Sequence, residues 1–174
     1  MRRAQLVSRI ALFAALIYVL SWLTAWLPNV NLIFFVVFSA GFLWGALPGA
    51  LTGAVGMGLW TSFNPYGPAM FPIAAAQVIG AGLGGLVGAG FRAAGTHRLR
   101  PIARSAALIA AAVISTLVFY LPVSAADAWM FGPFWPRFAG GMVWSGWSLV
   151  SNAVIFPLLF GVTLHLFARE RERV

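Results

Sequence analysis

The chain has 174 residues, of which 61% are hydrophobic and 8% charged, with a formal net charge of +8 and a mean hydropathy of +0.92. Soluble domains carry about 25% charged residues, so an ordinary water-soluble domain is excluded and an integral membrane protein is expected, with residues 1–174 forming one transmembrane domain. The absence of cysteine excludes disulfides, thiolate metal ligands and a cysteine nucleophile. The excess positive charge does not point to nucleic acid, because the arginines flank apolar spans and no soluble domain is there to present them.

All eleven basic residues are arginine, and ten of them fall in three clusters: Arg2, Arg3 and Arg9; Arg92, Arg98, Arg100 and Arg104; Arg169, Arg171 and Arg173. Basic segments flanking membrane spans stay on the cytoplasmic side. The three clusters therefore share one side, and an even number of spans separates each pair. The first span, 10–27, opens like a signal peptide, but its apolar run is long and no clean small-x-small cleavage site follows, so it reads as a mature helix. Pro28-Asn29-Val30-Asn31 turns it. The uncharged stretch 32–63 is too long for one span, and parity requires it to cross twice, as short helices 32–45 and 49–63 turning at 45–49. Short spans are accommodated inside a bundle. Asn64-Pro65-Tyr66-Gly67-Pro68 is an outer turn, followed by a fourth helix over 69–91 and the basic loop. A fifth helix is expected over 102–121. Three prolines, Pro122, Pro133 and Pro136, make 122–138 an outer loop. A long sixth helix covers 139–167, with Pro157 as a site for a kink. The expected fold is thus all-α: a six-helix membrane bundle with both termini cytoplasmic, short glycine-rich helices two and three, and no internal repeat.

Small residues recur at four-residue spacing: Ala76, Gly80, Gly84 and Gly88 in helix four, Gly49 and Gly53 in helix three, and Ala11 and Ala15 in helix one. Such faces let membrane helices approach closely. Ala11 and Ala15 either pack within the molecule or form a docking face for another membrane subunit. Gly80, Gly82 and Gly85 also satisfy GxGxxG, but a dinucleotide site needs a preceding strand and a βαβ unit that this chain does not offer.

The residues of enzymatic chemistry are scarce. His97 and His165 map to the cytoplasmic side and Asp127, the only aspartate, to the outer side, so no Ser-His-Asp relay forms. No His/Asp/Glu cluster suits a catalytic metal, and no cofactor is expected. The first four helices hold no acidic residue, which argues against a proton-relay transporter. Without a Walker loop the chain does not hydrolyse ATP, so active transport would need borrowed energy. The chain does not read as an enzyme.

Seven of the eight tryptophans map to the outer half: Trp22, Trp26, Trp60, Trp129, Trp135, Trp144 and Trp147. This asymmetry fits either an aromatic cavity open outward or an outer interfacial belt. Asp127 and Arg137 stand apart from the three clusters and pair with each other or with a ligand. Gln77 and Asn152 lie within helices, placed to hydrogen-bond a ligand or a neighbouring helix. Asn64 either shapes its turn or touches substrate near the mouth. The expected substrate-binding set is Asn64, Gln77, Trp60, Asp127, Trp129, Trp135, Arg137, Trp144, Trp147 and Asn152.

Six helices, cytoplasmic termini, a basic inner loop, the Ala11/Ala15 pair, short glycine-rich helices two and three, the 63–68 turn, Gln77 and the Gly80/Gly84/Gly88 face together resemble the substrate-binding S components of energy-coupling factor (ECF) vitamin transporters, over nearly the whole chain. The resemblance implies a bacterial plasma-membrane protein that binds a vitamin or related micronutrient from the outer side. It implies partnership with a transmembrane T component and two cytosolic ATPases, docking through Ala11 and Ala15, and inward release by toppling in the membrane. A stand-alone facilitator of the same fold and a scaffold or assembly protein without ligand are the alternatives. Sparse charge and abundant tryptophan favour a flat, largely apolar substrate: a heterocyclic vitamin, a tetrapyrrole or a precursor of either.

Overall fold

The computed structural model describes residues 3–27 and 30–172; Arg2 and Arg173 of the arginine clusters, and Pro28 and Asn29 of the first turn, lie outside the described residues. The described residues are helical and contain no strand: α1 (Arg3–Thr24), α2 (Ile33–Trp44), α3 (Ala46–Phe63), α4 (Phe71–Ala93), a 3-10 turn (Thr96–Arg98), α5 (Pro101–Phe131) and α6 (Phe134–Glu172). Four of them, α1, α4, α5 and α6, are long and apolar enough to cross a membrane.

Unlike a water-soluble bundle, this one exposes large apolar side chains and places several polar ones within its apolar core. On α6 the buried face carries Ser145, Ser148, Asn152 and Thr163, while Val143, Val150, Val154 and Leu158 point outward, each more than half exposed. In water that face would aggregate. In lipid it is solvated, and the polar groups find partners inside. Ser39 and Thr163 hydrogen-bond between α2 and α6 at 2.8 Å, and Tyr120 and Ser148 between α5 and α6 at 2.9 Å.

The centre is α2, which touches all five other α-helices and whose residues Ile33 to Leu43 are all buried. It is short, about 18 Å at 1.5 Å per residue, and its neighbours surround it. Its phenylalanines form the core: Phe34 meets Phe119 edge-on at 5.2 Å, Phe38 meets Phe156 at 5.0 Å, and Phe42 meets Phe160 edge-on at 5.1 Å. Such aromatic pairs add about 0.5–1.5 kcal/mol each beyond area burial.

Glycine brings α2, α3 and α4 together. A Cβ on Gly85 would overlap the backbone of Gly49, one on Gly41 the carbonyl of Gly85, and one on Gly88 the carbonyl of Phe38. Gly80 and Gly85 of the spurious GxGxxG pattern are therefore helix-packing positions inside α4, where a Cβ on Gly80 would meet Phe119, and no strand precedes them among the described residues. The break between α2 and α3 is Gly45, whose φ of 99° favours glycine.

Two expectations about element ends are corrected. Residues 122–138 are not a loop. α5 runs through Pro122 to Phe131, and α6 begins at Phe134. Beyond Pro122 the two helices stay packed, with Ser124 and Ala128 buried and a Cβ on Gly141 excluded by Ser124. Membrane helices tolerate an internal proline when neighbours supply such contacts. Likewise α1 starts at Arg3, earlier than the apolar run, and α6 extends to Glu172.

The arginine clusters meet at one end. Arg9 of α1 pairs with Glu170 of α6 and lies over the Trp44 ring, its Cζ 5.5 Å from the ring centre. Arg92, in the last turn of α4, donates to the carbonyl of Leu43 at 2.7 Å, capping the negative end of α2. The opposite end carries Trp22, Trp60 and the Asn64–Pro68 turn.

Candidate functional site

At the end opposite the arginines a cavity of about 350 Å³ opens among α1, α3, α5 and α6. Ser21, Thr24, Ala25 and Leu27 form its α1 side, and Val30 and Asn31 line it from the link to α2. Trp60 of α3, Tyr66 of the following turn, Tyr120 of α5 and Trp144 of α6 supply four aromatic side chains. Its volume lies within the 300–1,000 Å³ of small-molecule sites, and aromatic walls with a few polar groups are their usual chemistry.

Local sequence explains how each wall is held. Ser21 and Thr24 donate back to the carbonyls of Ile17 and Leu20, at 2.7 and 2.9 Å, leaving their lone pairs as acceptors. The Asn31 side chain accepts from the amide of Ile33 at 3.0 Å and so starts α2. Trp60 is braced edge-on by Trp22, with ring centres 6.4 Å apart. Tyr66 donates its hydroxyl to the carbonyl of Ala25 at 2.7 Å, tying the α3–α4 turn to the end of α1 across the cavity. Tyr18 ties the same helices one layer deeper by donating to the carbonyl of Phe63 at 3.0 Å. Among the described residues no charged side chain lines the cavity.

Of the ten expected substrate residues, the structure brings Trp60 and Trp144 to this cavity. Trp129, Trp135 and Trp147 do not line it; they are 75%, 73% and 69% exposed on the flanks of α5 and α6. The remaining five have partners within the protein. The Asn64 amide donates to the carbonyls of Trp60 and Thr61, and its oxygen accepts from the amide of Tyr66, so Asn64 shapes the turn. Gln77 of α4 accepts from the hydroxyl of Thr61 of α3 at 2.6 Å. Asp127 and Arg137 form a two-pronged pair at 2.6 and 3.2 Å, and Arg137 lies over Phe131. Asn152, fully buried, donates to Thr116 at 2.9 Å, while its carbonyl oxygen has no hydrogen-bond partner among the described residues.

Ala11 and Ala15 both sit on the exposed face of α1, whereas Ala14, Ile17 and Ser21 face the bundle.

The Thr116–Asn152 bond lies one helical turn below Tyr120–Ser148 on both α5 and α6, and it makes a clear prediction. Thr116→Val strands the Asn152 amide in the core and should cost about 1–3 kcal/mol. Adding Asn152→Leu removes both polar partners and should recover most of that loss. Unfolding measured in mixed micelles checks it; a double variant less stable than the Thr116→Val variant would contradict the pairing.

Sequence reasoning missed Tyr66, Tyr120, Asn31 and the α1 residues of the cavity. The signal available was position: Tyr66 and Asn31 fall in the two turns that close the same end of the bundle. Tyr120 stands beside Pro122 within an apolar run and looks like any interfacial tyrosine.

No family model matches the chain, and neither a curated protein nor a solved structure matches it.

Proposed function

We propose that the chain is the membrane-embedded substrate-binding subunit of an ECF-type importer, crossing a bacterial plasma membrane six times with both termini in the cytoplasm. The observation that carries this reading is the uncharged cavity walled by Trp60, Tyr66, Tyr120 and Trp144 at the end of the bundle opposite the arginines. Arginine-rich ends stay cytoplasmic, so the cavity faces outward. Its walls suit a flat, largely apolar micronutrient, held by ring stacking and by the hydroxyl and amide groups of Ser21, Thr24 and Asn31. The exposed Ala11/Ala15 face of α1 supports docking to a transmembrane T component, which with two cytosolic ATPases supplies the energy this chain has no residues to harvest.

The test is uptake. The small molecule that co-purifies with the protein is labelled and offered to cells making this chain with or without the T component and ATPases. Accumulation that requires the ATPases is the expected result. Equal accumulation without them would identify a stand-alone facilitator, and no co-purifying molecule would favour a scaffold.

A further inference from the structure

The arginine end does more than orient the chain. Around the ring of Phe167, near the end of α6, three basic groups converge: the Arg92 Cζ lies 5.1 Å from the ring centre, the Arg171 Cζ 5.9 Å, and the His97 ring 5.1 Å. Arg98 closes the group by donating to His97 Nε2 at 3.3 Å. Because Nε2 accepts that bond, the neutral ring carries its hydrogen on Nδ1, and Nδ1 is buried without a hydrogen-bond partner among the described residues. Among the described residues no carboxylate is paired with this group. Glu170 is taken by Arg9 and Asp127 by Arg137, Glu172 is exposed, and among the described residues no ion pair reaches Arg92, Arg98 or Arg171. Donors outnumber acceptors at the junction of α4, the Thr96–Arg98 turn and α6.

We propose that this junction binds the phosphate of an anionic phospholipid headgroup, with Arg98 and Arg171 as its exposed ligands and Arg92 behind them. The surroundings favour a lipid over an acidic protein segment. Leu99 is 39% and Ile102 87% exposed, interleaved with the exposed Arg98 and Arg100 and the half-buried Arg104. Apolar side chains alternating with arginines suit the boundary between headgroups and acyl chains. The inference needs only that the chain spans a bilayer and is independent of the transport reading. His97 reports occupancy. Its pKa is held below the ordinary histidine value by burial first and then by Arg98, Arg171 and Arg92. A phosphate among those guanidiniums offsets their positive potential, so binding moves the His97 pKa upward.

The full chain in neutral detergent, with His165→Gln removing the other histidine, is titrated with phosphatidylglycerol or phosphatidylcholine while the His97 ring resonances are followed across pH. Phosphatidylglycerol should raise the His97 pKa saturably and phosphatidylcholine should not. Each arginine near an anionic surface contributes several-fold to binding, so the Arg98→Gln/Arg171→Gln pair should weaken phosphatidylglycerol by about thirtyfold. Both side chains are exposed, so folding should persist, and Arg171→Gln alone gives a milder second variant. Unchanged phosphatidylglycerol affinity in these variants, or equal titration by phosphatidylcholine, overturns the proposal. Inorganic phosphate producing the same shift at the same concentration would mark a free-anion site, and displacement of the lipid by polyglutamate would mark an acidic protein partner. Either result also overturns the lipid assignment.

Discussion

Gly85→Leu should abolish the folded protein. Gly85 sits where α4 crosses α3, and a Cβ there would overlap the backbone of Gly49 and Ala50. Overpacking in a core that can adjust costs about 1–3 kcal/mol. Here the obstacle is main chain on a neighbouring helix, which has no rotamer to change. The same face of α4 also meets α2, with Gly85 against Gly41 and Gly88 against Phe38, so parting α3 from α4 disturbs the seating of α2. The expected outcome is loss of the monodisperse species on size-exclusion chromatography in detergent. Gly90 supplies the control on the same helix. A Cβ there meets nothing within 4 Å, and Gly90→Ala should be neutral or stabilising by up to about 1 kcal/mol, since glycine costs that much in a helix interior. A well-folded Gly85→Leu variant would mean that the close crossing of α3 and α4 is wrong.

Ala11→Trp and Ala15→Trp should each stop ATP-dependent uptake while leaving ligand affinity intact. Both alanines are exposed on α1. Ala11 lies about 15 Å along the helix from Ser21 at the cavity wall. A close helix–helix contact through small residues tolerates no indole, so docking of a T component would fail although the cavity is untouched. Uptake and equilibrium binding measured side by side separate the outcomes. Full uptake in both variants would remove α1 as the docking face, and parallel loss of binding would show that the substitutions damage the bundle itself.

How far the sequence could be read depended on where its information lay. Charge placement is global: ten arginines in three clusters constrained the helix count, and the structure gathers described members of all three at one end through Arg9–Glu170 and Arg92–Phe167. Glycine spacing in helix four was legible because close approach leaves no substitute for a missing Cβ. Pro122 was misread because its tolerance depends on α6 lying alongside, which no local pattern records. The tryptophans show the deeper limit. Composition indicates which end a ring occupies, but in a membrane both the lipid face and the cavity face are apolar. Helical phase therefore does not separate Trp144, which lines the cavity, from Trp147, which does not. Asn64 and Gln77 turned out to satisfy neighbours within the protein, the commoner role of a polar side chain among apolar helices.

The central claim is that the cavity opposite the arginines is the substrate site. Its most direct test is the affinity of the co-purifying small molecule for single Trp→Phe variants, followed by quenching of the remaining tryptophan fluorescence. Trp60→Phe and Trp144→Phe should each weaken binding several-fold, as expected when a stacking contact worth about 0.5–1.5 kcal/mol is impaired. Trp129→Phe, Trp135→Phe and Trp147→Phe should bind like the parent. Unchanged affinity in both Trp60→Phe and Trp144→Phe, or losses confined to the three outer tryptophans, would place the ligand elsewhere and contradict the assignment.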